Sequence, residues 1–163
     1  MIAGDDGREL AAGEIGELCI RGGNIFKGYL GRPEATGEAF FPGRWFRSGD
    51  SALIDGDGFV FLQGRKTEMI IVGAENVYPV EVENVICSHP AVREAAVVGI
   101  QSAIFGELVR AVVVLRDGAA ATATDIRRHC ARRLAGFKVP YKVDFTDALP
   151  RNPSGKVVKR WIK

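Results

Sequence analysis

The chain has 163 residues, 47% of them apolar and 26% charged, with a formal charge of +2. These proportions are ordinary for a soluble globular protein. Acids and bases are nearly balanced and interspersed, which gives no reason to expect a nucleic-acid partner, and the length allows one domain or two small ones.

Cys19, Cys87 and Cys130 are far apart and odd in number, and they form no C-x-x-C pair. That excludes a disulfide framework or a zinc site built on cysteine and fits a reducing compartment. Each lies in an apolar context and is expected to be a buried, inert thiol. No apolar run approaches the ~20 residues of a membrane-spanning helix. Met1 to Asp6 lack the basic and long apolar regions of a secretory leader, so a cytoplasmic protein is expected.

Asp5 to Arg8 reads as a turn, and Glu17 to Arg21 as a half-buried strand. Gly22-Gly23 breaks it, and a short extended piece follows from Phe26 to Leu30. Pro33 to Phe40 suits a helical turn, with another strand near Trp45-Phe46. Ser51–Ile54 and Phe59–Leu62 flank Asp55-Gly56-Asp57-Gly58, a hairpin signal. The same four residues lack the later ligands and closing glutamate of a calcium loop, so they are read as a turn.

From Gly64 the pattern changes. Gly64 to Thr67 is a polar breaker, Met69–Val72 a short strand, and Gly73 to Asn76 a loop. Pro79 opens a helix of about 79–88, where a missing N–H costs nothing, and Glu81 and Glu83 suit its positive pole. Val82, Val85 and Ile86 form its buried stripe. Strands are predicted at about 93–99 and 107–115, both β-branched and central in character. A second helix of about 125–134 turns Ile126, Cys130 and Leu134 inward and ends at Gly136. A last strand lies at about 142–146. Arg127, Arg128, Arg132 and Arg133 read as a solvated helix face. The expected fold class is α+β: a small antiparallel β unit over residues 1–65, then a compact α+β domain over 66–163 with helices on a small sheet.

Three strings carry chemistry. Trp45-Phe46-Arg47-Ser48-Gly49-Asp50 ends in a carboxylate beside a glycine, which alone is a turn former. Gly64-Arg65 opens the breaker. Leu149-Pro150-Arg151-Asn152-Pro153-Ser154-Gly155-Lys156 is a loop made semi-rigid by two prolines, presenting Lys156. His89 and His129 have no second ligand near them in sequence, and no Gly-x-Ser-x-Gly or Cys/His constellation is present.

In this order, and with the Gly64–Glu83 stretch between them, these strings resemble motifs of the adenylate-forming enzymes. These comprise acyl-CoA synthetases, peptide-synthetase adenylation domains and beetle luciferases. The resemblance covers nearly the whole chain and is nearest to fatty-acid or aryl acyl-CoA ligases. It implies ATP, coenzyme A and Mg2+ as cofactors, the metal being held outside this chain. Asp50 then matches an aspartate that accepts the ribose hydroxyls of ATP, and Arg65 an arginine beside the same ribose and phosphate. Lys66, Thr67 and Glu68 fall at the hinge, with Thr67 where Asp or Lys is common. Gly73, Ala74, Glu75 and Asn76 match the loop offered to the thiol acceptor, and Phe137 to Pro140 resembles a segment near the coenzyme A entrance. Ala74 replaces a family glycine, and its methyl either narrows the thiol passage or is tolerated. Lys156 matches the lysine that stabilises charge around the α-phosphorus; no metal ligand is assigned.

The family's phosphate-binding loop and Tyr-Gly-x-Thr-Glu segment are absent. The chain is therefore expected to be the C-terminal end of a larger ligase, with an N-terminal large domain as partner, a carboxylic acid of fatty type as substrate, and no turnover alone. A non-catalytic binding module and the end of an amino-acid adenylation domain are the alternatives.

Overall fold

The computed structural model describes residues 1–162. They form two compact units, Met1–Thr67 and the residues from Glu68 on, divided within a 3-10 turn at Lys66–Glu68. The fold is α+β.

The first unit is a five-stranded antiparallel sheet. Strands β1 (Ile2–Ala3), β2 (Gly16–Ile20), β3 (Phe40–Phe41), β4 (Trp45–Ile54) and β5 (Val60–Arg65) are arranged around β4, which pairs with β2, β3 and β5. The Asp55–Gly58 turn joins β4 to β5 with Ile54 opposite Val60. Asp55 fixes it: one carboxylate oxygen accepts from the amides of Asp57 and Phe59 at 3.0 and 2.9 Å. That is an Asx turn, and it occupies the acid that a calcium reading would need.

Helix α1 (Pro33–Glu38) starts at its proline. Phe26 to Leu30 does not form the extended strand piece expected. Phe26 instead packs its ring against Tyr29, Phe40 and Phe46 at 5.1, 5.5 and 5.3 Å. Aromatic packing, which satisfies no backbone periodicity, competes with strand pairing there.

β2 has an unexpected inner face. Its two buried side chains are Glu17 and Cys19, while Ile20 is exposed. Burying a carboxylate is costly unless donors surround it, and here they do.

The second unit has a sheet centred on β9 (Gly106–Leu115). β9 pairs antiparallel with β8 (Val92–Ser102) along their lengths and parallel with β10 (Lys142–Phe145); at Gly106 it meets β6 (Ile70–Val72), which pairs with β7 (Glu75–Val77). β8 is thus an edge strand in pairing and not central as expected. Its continuous apolar run has another cause, since both faces of the β8–β9 hairpin are covered. Val97, Val109, Ala111 and Val113 face the core under the helices, whereas Ala96, Val112 and Val114 face Leu149, Val157 and Ile162.

Helix α2 (Pro79–Cys87) buries Val82 and Ile86 completely. Each such aliphatic side chain stabilises the unit by about 1.5–3 kcal/mol. Glu81 and Glu83 also make specific contacts: Glu81 holds Lys138 at 2.7 Å, and Glu83 accepts from the Val97 amide and from Lys159, both at 2.8 Å.

Helix α3 (Ala123–Ala131) buries Ile126 and Cys130 as expected, yet starts earlier and ends before Gly136, which opens a 3-10 turn instead. A capping box sets its start, with the Thr122 hydroxyl accepting from the Asp125 amide and the Asp125 carboxylate accepting from the Thr122 amide. Thr-x-x-Asp was the overlooked signal.

Cys19 and Cys130 are buried, but Cys87, at the end of α2, is exposed and corrects the expectation for it. Burial pushes the Cys130 thiol up to about 11. Alkylation should therefore be biphasic. Cys87 should react at least about tenfold faster than either buried thiol, because access and thiolate fraction set the rate. Mass mapping of the early adduct checks this; early loss of Cys130 would contradict the packing.

Candidate active-site elements

Asp50 and Arg65 lie opposite each other on β4 and β5, and the strands bring their side chains together at 3.2 Å. Arg65 also donates to the Ser48 carbonyl at 2.8 Å, and the Asp50 amide donates to the Ser48 hydroxyl at 3.0 Å. Gly49 between them has φ +74, and a Cβ there would stand 3.3 Å from the Arg65 guanidinium. Glycine is required at this bulge of β4 both by its backbone angle and by the passage of Arg65. Both charged side chains are partly exposed, so the carboxylate keeps acceptor capacity for hydroxyl donors from a ligand.

Glu17, on the neighbouring strand β2, holds this bulge of β4. Its carboxylate accepts from Arg47 at 3.0 Å, from the Gly49 amide at 3.3 Å and from Lys66 at 3.4 Å; Lys66 also reaches Asp5 at 2.6 Å. Burial alone would raise the Glu17 carboxyl, but Arg47 and Lys66 outweigh it and hold it below the usual range. The hydrogen bond that Lys66 donates to Asp5 raises its ammonium, aided by Glu17 against partial burial.

A carboxyl lowered in the folded state stabilises it above the unfolded-state value, and that contribution disappears as pH falls through the lowered value. The first unit should lose stability on acidification from the ordinary carboxylate range downward. A Trp161→Phe chain leaves Trp45 as the fluorescent reporter for denaturant melts. Melts of Glu17→Gln should show a flatter acid limb, and an unchanged limb would remove Glu17 from the account.

The hinge residues are split. Lys66 is held as described, Thr67 is exposed, and Glu68 pairs with Lys159 at 3.0 Å. The expected loop at Gly73–Asn76 is shorter than the sequence suggested. Gly73 and Ala74 alone turn the chain, while Glu75 and Asn76 are ladder residues of β7 opposite Val72 and Ile71. A two-residue turn closes the hairpin, so strand pairing resumes at once. Gly73 has φ +65 whereas Ala74 is not among the residues of positive φ, so the turn needs glycine only at its first position. The Ala74 methyl therefore costs no backbone strain.

Beside Gly73 runs a groove of about 560 Å³ whose walls include Phe105, Leu108, Phe137, Val139 and Tyr141. The turn and the Phe137–Pro140 segment, distant in sequence, thus face one apolar channel.

Lys156 is exposed at the end of a tightly tied loop. One Asn152 side-chain oxygen accepts from the Ser154 amide, the Ser154 hydroxyl and the Lys156 amide at 3.1, 2.8 and 2.9 Å. Arg151 donates to the Gly155 carbonyl at 2.7 Å and pairs with Glu94 of β8. The loop backbone is fixed while the ammonium forms no ion pair among the described residues. Arg151 and Asn152, which in the sequence are only part of the Leu149–Lys156 string, are thus what fixes this loop. No helix of the described residues is long and apolar enough to cross a membrane.

Comparison with known proteins fits these elements. Residues 81–156 match the family described as AMP-binding enzyme C-terminal domain. Over 162 residues the chain is 46% identical to a feruloyl-CoA synthase of Amycolatopsis sp, covering 99% of this chain and 33% of that protein. It is 44% identical to a 2-succinylbenzoate–CoA ligase of Geobacillus kaustophilus, covering 97% and 32%. The ATP-bound MatB of Rhodopseudomonas palustris superposes with a TM-score of 0.93 at 42% identity, over 99% of this chain and 32% of that one. The chain spans about a third of the length of the curated relatives it matches. It belongs to the adenylate-forming, AMP-binding enzymes, of which it represents the C-terminal portion.

Proposed function

We propose that the chain is the C-terminal part of an ATP-dependent acid–thiol ligase, which activates a carboxylate as its adenylate and passes the acyl group to coenzyme A. The observation that carries this reading is Lys156, a free ammonium on a loop whose backbone is tied down by Asn152 and Arg151. Fixing the backbone while leaving the charge uncommitted suits an electrostatic group that must meet a substrate.

Asp50 would accept the ribose hydroxyls, and Arg65 would hold that carboxylate in place beside the phosphates. Lys156 would neutralise charge between the carboxylate and the α-phosphate. The Gly73–Ala74 turn and its apolar channel would guide the thiol arm, excluding water from the acyl transfer. Among the described residues no group of three or more His, Cys, Asp or Glu side chains is placed to hold a metal. Mg2+ would be held by the large domain, which would also carry the acyl pocket and be this chain's partner. A fatty-type acid is one candidate substrate; the likeness to a feruloyl-CoA synthase and a 2-succinylbenzoate–CoA ligase makes an aryl acid the other. Without the large domain, the 163-residue chain would not turn over ATP.

Two variants in the enzyme that carries this chain test the reading. Gly73→Leu should slow acyl transfer from preformed adenylate to coenzyme A by about tenfold or more, through turn strain and a filled channel mouth, while adenylate formation continues. Lys156→Ala should do the reverse. If each variant impaired both steps equally, the division of labour would be wrong.

A further inference from the structure

The charged network beneath the nucleotide strand contains a group to which nothing above assigns a task in the reaction. Glu17 is 3% exposed, the one charged residue among the buried side chains described. A buried carboxylate needs an ion partner and further donors to offset its desolvation. Glu17 takes them from three places along the chain: Arg47 early in β4, the amide of Gly49, and Lys66, the first residue after β5. Gly49 lies in the β4 bulge that aims Asp50 and lets Arg65 pass, and Lys66 is the last residue but one of the first unit.

We propose that Glu17 is a positioning residue that ties the nucleotide-contacting bulge of β4 at Gly49–Asp50 to the hinge residue Lys66 through one buried carboxylate. The assignment rests on the function proposed above and deepens it. Asp50 is carried on a backbone whose amide nitrogens before and at that position are both engaged, by Glu17 and by Ser48. The carboxylate group can lie where the ribose needs it without paying for backbone ordering when the nucleotide arrives. Lys66 shares a single carboxylate oxygen with Arg47 and has Asp5 as its second partner. Any rearrangement at the hinge that draws Lys66 away leaves Glu17 with Arg47 and Gly49 alone. The β4 bulge and the hinge therefore sense one another through a shared charge, in the manner of a small coupled network.

The test has a structural arm and a kinetic arm. In the 163-residue chain, Glu17→Gln should speed hydrogen exchange at the Gly49 amide and trypsin cleavage at Arg65–Lys66. In the ligase that carries the chain, Glu17→Gln should raise the KM for ATP about tenfold with kcat for adenylate formation within about threefold, the size expected for losing one charge-assisted hydrogen bond. A residue that only stabilised the fold would lower kcat through the active fraction and leave KM alone. Lys66→Gln, whose side chain is partly exposed, carries the test if Glu17→Gln does not fold. It should slow acyl transfer severalfold and shift the ATP KM less than about twofold.

An unchanged ATP KM in Glu17→Gln, with Lys156→Ala still abolishing adenylation, would overturn the positioning role and leave the ligase reading intact. Silence of Lys156→Ala would instead bring down the ligase reading, and this assignment with it.

Discussion

Replacing Lys156 with alanine is expected to slow adenylate formation by about a hundred- to a thousandfold, the usual cost of removing one preorganised electrostatic donor. The stability of the chain should hardly change, because the side chain is exposed and its ammonium pairs with nothing among the described residues. Melting curves of wild type and variant should therefore overlay while the first half-reaction collapses. Acyl transfer from preformed adenylate should remain within about threefold, since the thiol attacks the acyl carbon and no bond to phosphorus is made or broken in that step. Lys156→Arg is the informative companion. It restores the charge but as a planar, longer fork, so it should recover less than about a tenth of the lost rate. Quenched-flow measurement of adenylate and pyrophosphate separates the steps. Adenylate formation at the wild-type rate in Lys156→Ala would make the lysine a solvated surface charge and leave the chain without its catalytic group.

Asn152 explains why the backbone matters as much as the charge. Its single oxygen satisfies three donors of the loop, so the position of Lys156 is set by local hydrogen bonds and not by packing of its own side chain. The string Asn152–Lys156 is legible in sequence for that reason: the geometry is local and every participant lies within five residues. The β4–β5 hairpin was legible for the same reason, because Asp55 binds amides two and four residues on. The elements that sequence missed depend on partners far along the chain. Glu17 sits in a strand whose composition suggested apolar burial, and only Arg47 and Lys66, 30 and 49 residues away, make its burial tolerable. β8 was read as central because its residues are apolar on both sides. That signal reports covered faces, and the second cover is the segment from Leu149 to Ile162, which no periodicity within β8 can reveal. The Gly73 groove is likewise a product of distant pieces, the β6–β7 turn and the residues around Phe137.

The second large effect is expected at Asp50. Asp50→Asn keeps the size of the side chain and one acceptor oxygen but removes the charge that faces Arg65 at 3.2 Å. Hydrogen bonds to a charged group contribute about 1.5–3 kcal/mol each, so the ATP KM should rise about ten- to a hundredfold. The fold should tolerate the change. Partly exposed ion pairs of this kind contribute about 0–1 kcal/mol to stability, and Arg65 retains the Ser48 carbonyl at 2.8 Å. A rise in KM alone would not show where the contact lies, because weakening of Arg65 could produce it too. The discriminating substrate is ATP lacking a ribose hydroxyl. Wild-type enzyme should use 2′-deoxy- or 3′-deoxy-ATP about tenfold less well than ATP, and Asp50→Asn should lose most of that preference, since the acceptor that reads the hydroxyls has been weakened. Arg65→Gln should instead raise the KM for ATP and both deoxy analogues by a similar factor, leaving the preference in place. If Asp50→Asn discriminates against the deoxy nucleotides as strongly as wild type does, the carboxylate reads no ribose hydroxyl, and its task in β4 is confined to holding Arg65.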